Sequence, residues 1–350
     1  MEEKVFHNCN PIFVVGASRS GTTLLQLMLN AHPNIAIYGE LHYFDEILQI
    51  KKLLPSLKTD EDIDRFFLML RNVYSYRHLP HSEKVYNAVK LRMKNDNSCS
   101  YEKFYKFSLE ENAAINHSER IGEKTPENIR YLKKLITIFP NCKIIHIVRD
   151  PRAVIASCIK VPWTSNSTII NALKWKSEVN NSQVFLRSNP SVSYLEVLYE
   201  KLVSTPQNEL KRICRFMGEG YDQKMLDYYK LSDRNLRNEP WKNGTKRPIY
   251  GSSTQRWRNE LSAAQIFIIE KTVSSFMRKF GYERSTINIS TKLNSITVLW
   301  LEFVRYLQYK FKERTSDKTE GENVITPEQR TLYKIVFKCL LGMPLTNKVF

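Results

Sequence analysis

A chain of 350 residues with 42% hydrophobic content is long enough for one large buried core or two ordinary ones, which excludes a wholly disordered or disulfide-stapled small module. Its 53 Lys plus Arg against 36 Asp plus Glu leave a net charge of +17, favouring anionic partners such as nucleotides, nucleic acid, acidic peptides, anionic lipids or glycans. The six cysteines are scattered without a C-x-x-C spacing, which argues against zinc and disulfide frameworks, and no run reaches the roughly 18 apolar residues of a membrane span.

Residues 1–10 carry no apolar run able to serve as a leader, so a cytoplasmic setting is expected. Residues 11–15, PIFVV, are mostly β-branched or aromatic and predict a buried strand; Thr22–Ala31 predicts the following helix, stopped by His32-Pro33. Between them, Gly16 and Gly21 have the spacing of a phosphate-binding loop, but the usual lysine is missing: Gly21 is followed by Thr22 and Thr23, and the basic residue, Arg19, lies inside the loop. Glycines at these points let backbone N–H groups turn inward at a helix start, making an anion cradle to which Ser20, Thr22 and Thr23 add hydroxyls. A purely structural glycine turn would read the same way. The absent lysine argues against a nucleotide kinase or ATPase, where it reaches the β- and γ-phosphates.

Ile35–Tyr38 predicts a second strand ending at Gly39-Glu40, and residues 46–118 a helical insertion rich in charged and aromatic residues. GEKTP at 122–126 leads into a predicted helix over 126–139, with Ile129, Leu132, Leu135, Ile136 and Phe139 on one face. KIIHIV at 143–148 is the next strand, and Arg149-Asp150-Pro151 turns the chain into the helix AVIASCI. A strand over 192–198 and a helix over 206–217 closed by Gly218 follow; Ser262 and Gln265 form a capping box for a helix running to Phe280. This alternation predicts a parallel sheet covered on both faces, with ligands outside the carboxyl ends of its strands. Gly16–Thr23, Glu40 and Arg149–Arg152 each follow a predicted strand and are expected to converge there. After residue 290 the character changes to a helical extension: an amphipathic segment at 296–311 with basic flanks, a polar linker at 314–328 and a last short amphipathic piece. The domain expectation is therefore residues 1–290 with the insertion, then 291–350.

In VRDPRAVIASCI, Arg149 at a strand end and Ser157 on the next helix could grip a phosphate, although the same residues would serve as a charged helix start capped by Asp150. Together, the loop SRSGTT and the downstream R-D-P-R-x-x-x-x-S resemble the sulfotransferases that use 3′-phosphoadenosine 5′-phosphosulfate, over about residues 10–285. The resemblance implies a P-loop-type α/β fold in which Arg19, Ser20, Gly21, Thr22 and Thr23 hold the 5′-phosphosulfate and Arg149 and Ser157 the 3′-phosphate. GTTLLQLMLNAHPNIAIYGE is most similar to the tyrosylprotein and related Golgi-type branch, which implies Glu40 as catalytic base, with His42 as the competing base, and Lys124 of EKTP stabilising the transferring group. It further implies that Tyr199 contacts the nucleotide and that GSSTQRWRNELS covers the donor through Ser252 or Ser253 and Arg256. Sulfuryl transfer to a protein tyrosine, glycan or glycolipid hydroxyl needs no metal. The competing expectations are a basic protein binding RNA or an anionic membrane, and a P-loop nucleotide kinase that has lost its lysine. A homodimer and peripheral membrane contact through 296–311 are further expectations.

Overall fold

The computed structural model describes residues 10–71, 82–96, 98–231, 244–249, 254–285, 300, 302 and 304–306. Ser252, Ser253, the linker at 314–328 and most of the segment at 296–311 lie outside the described residues. The elements in chain order are β1 (Ile12–Val15), α1 (Thr22–Asn30), β2 (Ile35–Tyr38), a π-helical turn (Tyr43–Ile47), α2 (Leu48–Leu53), α3 (Asp60–Leu70), α4 (Ser82–Lys94), α5 (Tyr101–Ile115) and β3 (Arg120–Lys124). There follow a 3₁₀ turn (Pro126–Arg130), α6 (Leu132–Ile138), β4 (Lys143–Val148), α7 (Pro151–Cys158), α8 (Thr168–Ser188), β5 (Ser193–Leu198), α9 (Tyr199–Ser204) and α10 (Pro206–Met217). A 3₁₀ segment (Gln223–Leu231) and three short helices, α11 (Trp257–Glu260), α12 (Ala263–Thr272) and α13 (Ser274–Lys279), complete the described elements. None of the described helices is long and apolar enough to cross a membrane.

The chain divides into two compact units, one formed by residues 1–149 with 178–251 and the other by 150–177 with 252–350. The first unit is an α/β domain: a five-stranded, wholly parallel sheet in the order β2-β3-β1-β4-β5, covered on both faces. Side-chain alternation separates two cores. Phe13, Val15, Ala36, Tyr38, Ile121 and Ile144 pack with residues of α2 to α6. Ile12, Val14, Ile35, Ile37, Ile145 and Ile147 pack with residues of α1, α9, α10 and the 3₁₀ segment after α10.

β3 is a strand that apolar patterning does not predict. Its residues, RIGEK, contain three charges, yet it lies between β2 and β1 with Glu123 and Lys124 buried. Gly122 explains how it fits: an ideal Cβ there would lie 2.2 Å from the Ile12 carbonyl oxygen and 2.7 Å from Ile37 Cδ1. The long helix α8 is also unexpected, because its polar Asn, Ser and Gln residues interrupt any single apolar face. Two expected helices prove to be broken. The segment 126–139 is a 3₁₀ turn and then α6, separated by Tyr131 at φ −118°, ψ 19°. The segment after Ser262 breaks at the β-branched Val273, φ −116°, ψ 18°, into α12 and α13. The capping box of Ser262 and Gln265 is present.

The second unit is organised by a buried cation. Asp150 caps α7 by accepting from the Arg152 N–H at 2.9 Å, and Pro151 occupies the first helical turn. Arg152, 4% exposed, pairs with Asp150, donates to Glu270 at 2.7 Å and to the Glu283 carbonyl at 2.9 Å, and stacks 4.0 Å from the Trp257 ring. Glu302, within the expected 296–311 helix, is buried and accepts from the Ser167 hydroxyl at 2.6 Å and the Ile169 N–H at 3.4 Å, so it caps the start of α8.

Gly122→Ala is expected to lower stability by about 2–3 kcal/mol or more, because backbone rather than a mobile side chain occupies the space its methyl needs. A urea midpoint equal to wild type would show that β3 can shift to admit it.

Candidate active site

β1 has β3 on one side and β4 on the other, while the chain leaves β1 for β2 and leaves β3 for β4. In such a parallel sheet the crevice opens beyond the carboxyl ends of the strands where the connections diverge. The loop after β1 enters it at Gly16, whose N–H donates to the Pro126 carbonyl at 3.2 Å. Arg19 takes a left-handed backbone, φ 71°, and Gly21 follows with φ 99° as the residue before α1. Gly21 cannot be replaced without movement: a Cβ would sit 2.4 Å from Tyr199 Cδ2. Ser20 is fully buried, and its hydroxyl has no hydrogen-bond partner among the described residues. Thr22 and Thr23 open α1, whose amino end adds the positive end of its dipole.

Arg149, one residue past β4, closes the other side of this loop. Its guanidinium donates to the Arg19 carbonyl at 3.1 Å and lies 4.2 Å from the centre of the Tyr199 ring. Tyr199 therefore supports both Gly21 and Arg149. Its ring is a platform for the loop, a role that the sequence pattern alone does not separate from nucleotide contact.

Beyond β2 and β3 the charged groups meet. Lys124, 2% exposed at the end of β3, pairs with the Glu40 carboxylate and lies 3.4 Å from Thr23 Oγ1. On its other oxygen, Glu40 faces His42 Nε2 at 3.5 Å. Burial acts to lower the His42 pKa, but the hydrogen bond to Glu40 and the charges of Glu127, Glu40 and Glu46 outweigh it, pushing it up to about 9. A carboxylate therefore stands between two cations, one hydroxyl away from the phosphate loop. His42 has a left-handed backbone, φ 48°, ψ 39°, where the chain turns from β2 into the π-helical turn. Asp45 in that turn accepts from the Tyr131 hydroxyl at 2.6 Å and from Arg130 at 3.2 Å, joining the segments that follow β2 and β3.

On the opposite face of β3, Glu123 is fully buried. One oxygen accepts from the Leu41 N–H at 3.2 Å and from the Thr125 hydroxyl; the other accepts from the Tyr105 hydroxyl at 2.9 Å and Asn128 Nδ2 at 2.7 Å. Burial raises its pKa, and the Thr125, Tyr105 and Leu41 donors and the His42 charge offset only part of that rise. Thr125 Oγ1 also receives the His42 N–H at 3.4 Å.

The first unit thus brings together Arg19, Ser20, Gly21, Thr22, Thr23, Glu40, Lys124, Arg149 and Tyr199. Ser157 on α7 and Arg256 before α11 belong to the second unit. Motif reasoning misses Glu123, Thr125, Asn128 and Tyr105. Three of the four lie in or just after the GEKTP segment, and the available signal is a second charge beside Lys124 in a strand that alternation splits between two faces. Among the described residues, no group of three or more His, Cys, Asp or Glu is placed to hold a metal ion.

A Caenorhabditis briggsae protein provisionally named a protein-tyrosine sulfotransferase is 28% identical over 286 residues, covering 79% of this chain and 90% of its own length. Protein-tyrosine sulfotransferase A of Caenorhabditis elegans is 25% identical over 283 residues, covering 78% and 67% respectively. Among solved structures, the sulfotransferase domain of the Synechococcus PCC 7002 olefin synthase has the same fold, with a TM-score of 0.54 at 24% identity over 77% of this chain and 96% of that one. The sulfotransferase domain from the curacin biosynthetic pathway gives a TM-score of 0.56 at 20% identity, covering 79% and 99%. The sulfotransferase family profile matches residues 11–223, which is more than half of the chain, so the protein belongs to the sulfotransferase family.

Proposed function

We propose that the crevice of the first unit transfers a sulfuryl group from 3′-phosphoadenosine 5′-phosphosulfate to an acceptor hydroxyl, with Glu40 as general base. The observation that carries this reading is the Glu40–Lys124 pair set against Thr23 of a lysine-free phosphate loop. A base for the acceptor and a cation for the transferring group then stand side by side. The loop suits the donor's 5′ end: its helix start favours an anion, and the buried, unpartnered Ser20 hydroxyl can donate to a phosphate oxygen. Arg149, with its guanidinium 4.2 Å from the centre of the Tyr199 ring, suits the 3′-phosphate.

The bound donor supplies an electrophilic sulfur whose bond to the bridging phosphate oxygen breaks as the bond to the acceptor oxygen forms. Glu40 takes the acceptor proton, a step typically worth about 10²- to 10⁴-fold. His42 is a poor candidate for that role, because with its pKa up at about 9 it already carries a proton at neutral pH. Lys124 and Arg19 supply positive charge to the sulfuryl oxygens and the leaving phosphate, and losing one such donor costs on the order of 3 kcal/mol. An anionic group arriving beside Lys124 competes with Glu40 for the ammonium. The carboxylate loses part of its ion pair at that moment and becomes a better base. The relatives' names favour a tyrosyl peptide as acceptor, and the net charge of +17 suits acidic neighbours around it.

Glu40→Gln is expected to cut transfer from labelled donor by about 10²- to 10⁴-fold, while 3′-phosphoadenosine 5′-phosphate still raises the melting temperature; wild-type turnover in this variant would remove Glu40 as base. That ligand should stabilise the wild-type protein where ATP and RNA do not, and equal stabilisation by ATP would favour the kinase alternative. With labelled donor and separate tyrosyl-peptide, glycan and lipid pools, label is expected in the peptide pool, and label confined to the other pools would exclude the tyrosyl acceptor.

His42 also predicts a pH dependence of stability. Its folded pKa, about 9, lies above its ordinary value of 6.5, so the stability it contributes is full below pH 6.5 and is lost as pH rises through 9. The melting temperature of the wild type should therefore decline across that window more than that of His42→Asn; parallel pH profiles would show that the imidazole gains nothing from Glu40.

A further inference from the structure

We propose that Glu123 is a positioning residue for the base, holding the Glu40–His42 segment from inside the sheet. The inference rests on the assignment of Glu40 as base, but its evidence comes from the other face of β3. An ionised carboxylate offers about four lone-pair sites, and Glu123 faces four donors: two on each oxygen. The Leu41 N–H and the Asn128 amide can only donate, and the Thr125 and Tyr105 hydroxyls are placed to donate as well, so the site offers the charged, acceptor-only form four partners against the burial that raises its pKa.

Two of the four connections bear on the catalytic segment. The Leu41 N–H, between Glu40 and His42 in the chain, ends on Glu123 itself. The His42 N–H ends on Thr125 Oγ1, whose own hydrogen is given to Glu123. A third connection works through packing: Tyr105, which donates to the second oxygen, stacks on Tyr43 with ring centroids 4.3 Å apart and planes 15° from parallel. Residues 41, 42 and 43 are thus each tied to the same buried group, directly or through one neighbour. Lys124, the next residue of the strand, holds the Glu40 side chain from the opposite face. β3 therefore controls both the backbone and the side-chain position of the base. His42 needs such support, because its left-handed backbone is one that a non-glycine residue rarely adopts without surrounding constraint.

A buried carboxylate that served stability alone would affect folding without singling out the chemical step. The test is Glu123→Gln, which keeps size but turns an N–H₂ group toward two donors. Its kcat for sulfuryl transfer is expected to fall about 10²-fold, the scale of a reacting group misplaced by an ångström, while the donor KM and the melting shift given by 3′-phosphoadenosine 5′-phosphate stay at wild-type values. Unchanged kcat overturns the proposal, and so does a parallel loss of kcat and donor affinity. Should Glu123→Gln fail to fold, Thr125→Val, which removes one donor and the His42 N–H acceptor, is read by the same split: a fall in kcat alone supports the proposal, and any other result overturns it. Glu40→Gln assayed alongside separates the two readings, since an active Glu40→Gln enzyme ends the base assignment whatever Glu123 does.

Discussion

The first unit depends on two opposite charges at adjacent positions of a buried strand. An ionised group taken from water costs several kcal/mol unless hydrogen bonds and counter-charges replace its hydration. At β3 the strand's alternation sends Glu123 to one face and Lys124 to the other, so neither can neutralise the other directly. Each must be satisfied by what packs on its own side. Glu123 recruits α5, the turn after β3 and the backbone after β2; Lys124 recruits Glu40 and the first turn of α1. The demand for satisfaction is therefore also what brings the segments after β1, β2 and β3 to one place.

That demand decides which parts of the molecule are legible in the residues. β1, β2 and β4 announce themselves through β-branched and apolar runs, because they are buried on both faces; β5, partly exposed at the sheet edge, is readable from its shorter apolar pattern. β3 is hidden because its stability comes from tertiary hydrogen bonds that no local pattern carries. The phosphate loop, Glu40, Lys124 and Arg149 are readable through the spacing of their motifs. Tyr105, by contrast, reaches Glu123 from another element, and its sequence context is that of any aromatic on the apolar face of a helix. α8 escapes for a related reason: polar residues such as Ser182 and Gln183 are buried in it by specific partners, so periodicity fails.

The second unit shows the same physics with the sign reversed. Arg152 is a buried cation held by Asp150 and Glu270 and by a carbonyl and an aromatic face, and its position fixes α7 against α11 and α12. By residue type alone, Arg152 suits an anion-binding turn as well as a helix start; in the fold it joins Asp150 in the helix start and its packing. Arg149, the neighbouring basic residue, is the one turned toward the phosphate loop. Closely spaced charges thus divide between the packing of α7 and the loop after β1, which is a distinction of contacts rather than of residue type.

Gly21 and Tyr199 carry a consequence for how the protein can change over time. The loop's left-handed glycine rests on a ring from the beginning of α9, and the same ring supports Arg149. Neither position is independent of the other: a side chain at 21 requires a smaller residue at 199, and a smaller residue at 199 removes the surface on which the guanidinium lies. The two sites should drift as a pair or not at all. A sequence that kept the glycines and lost the aromatic would preserve the outline of the motif while giving up the ring that its glycine and arginine share.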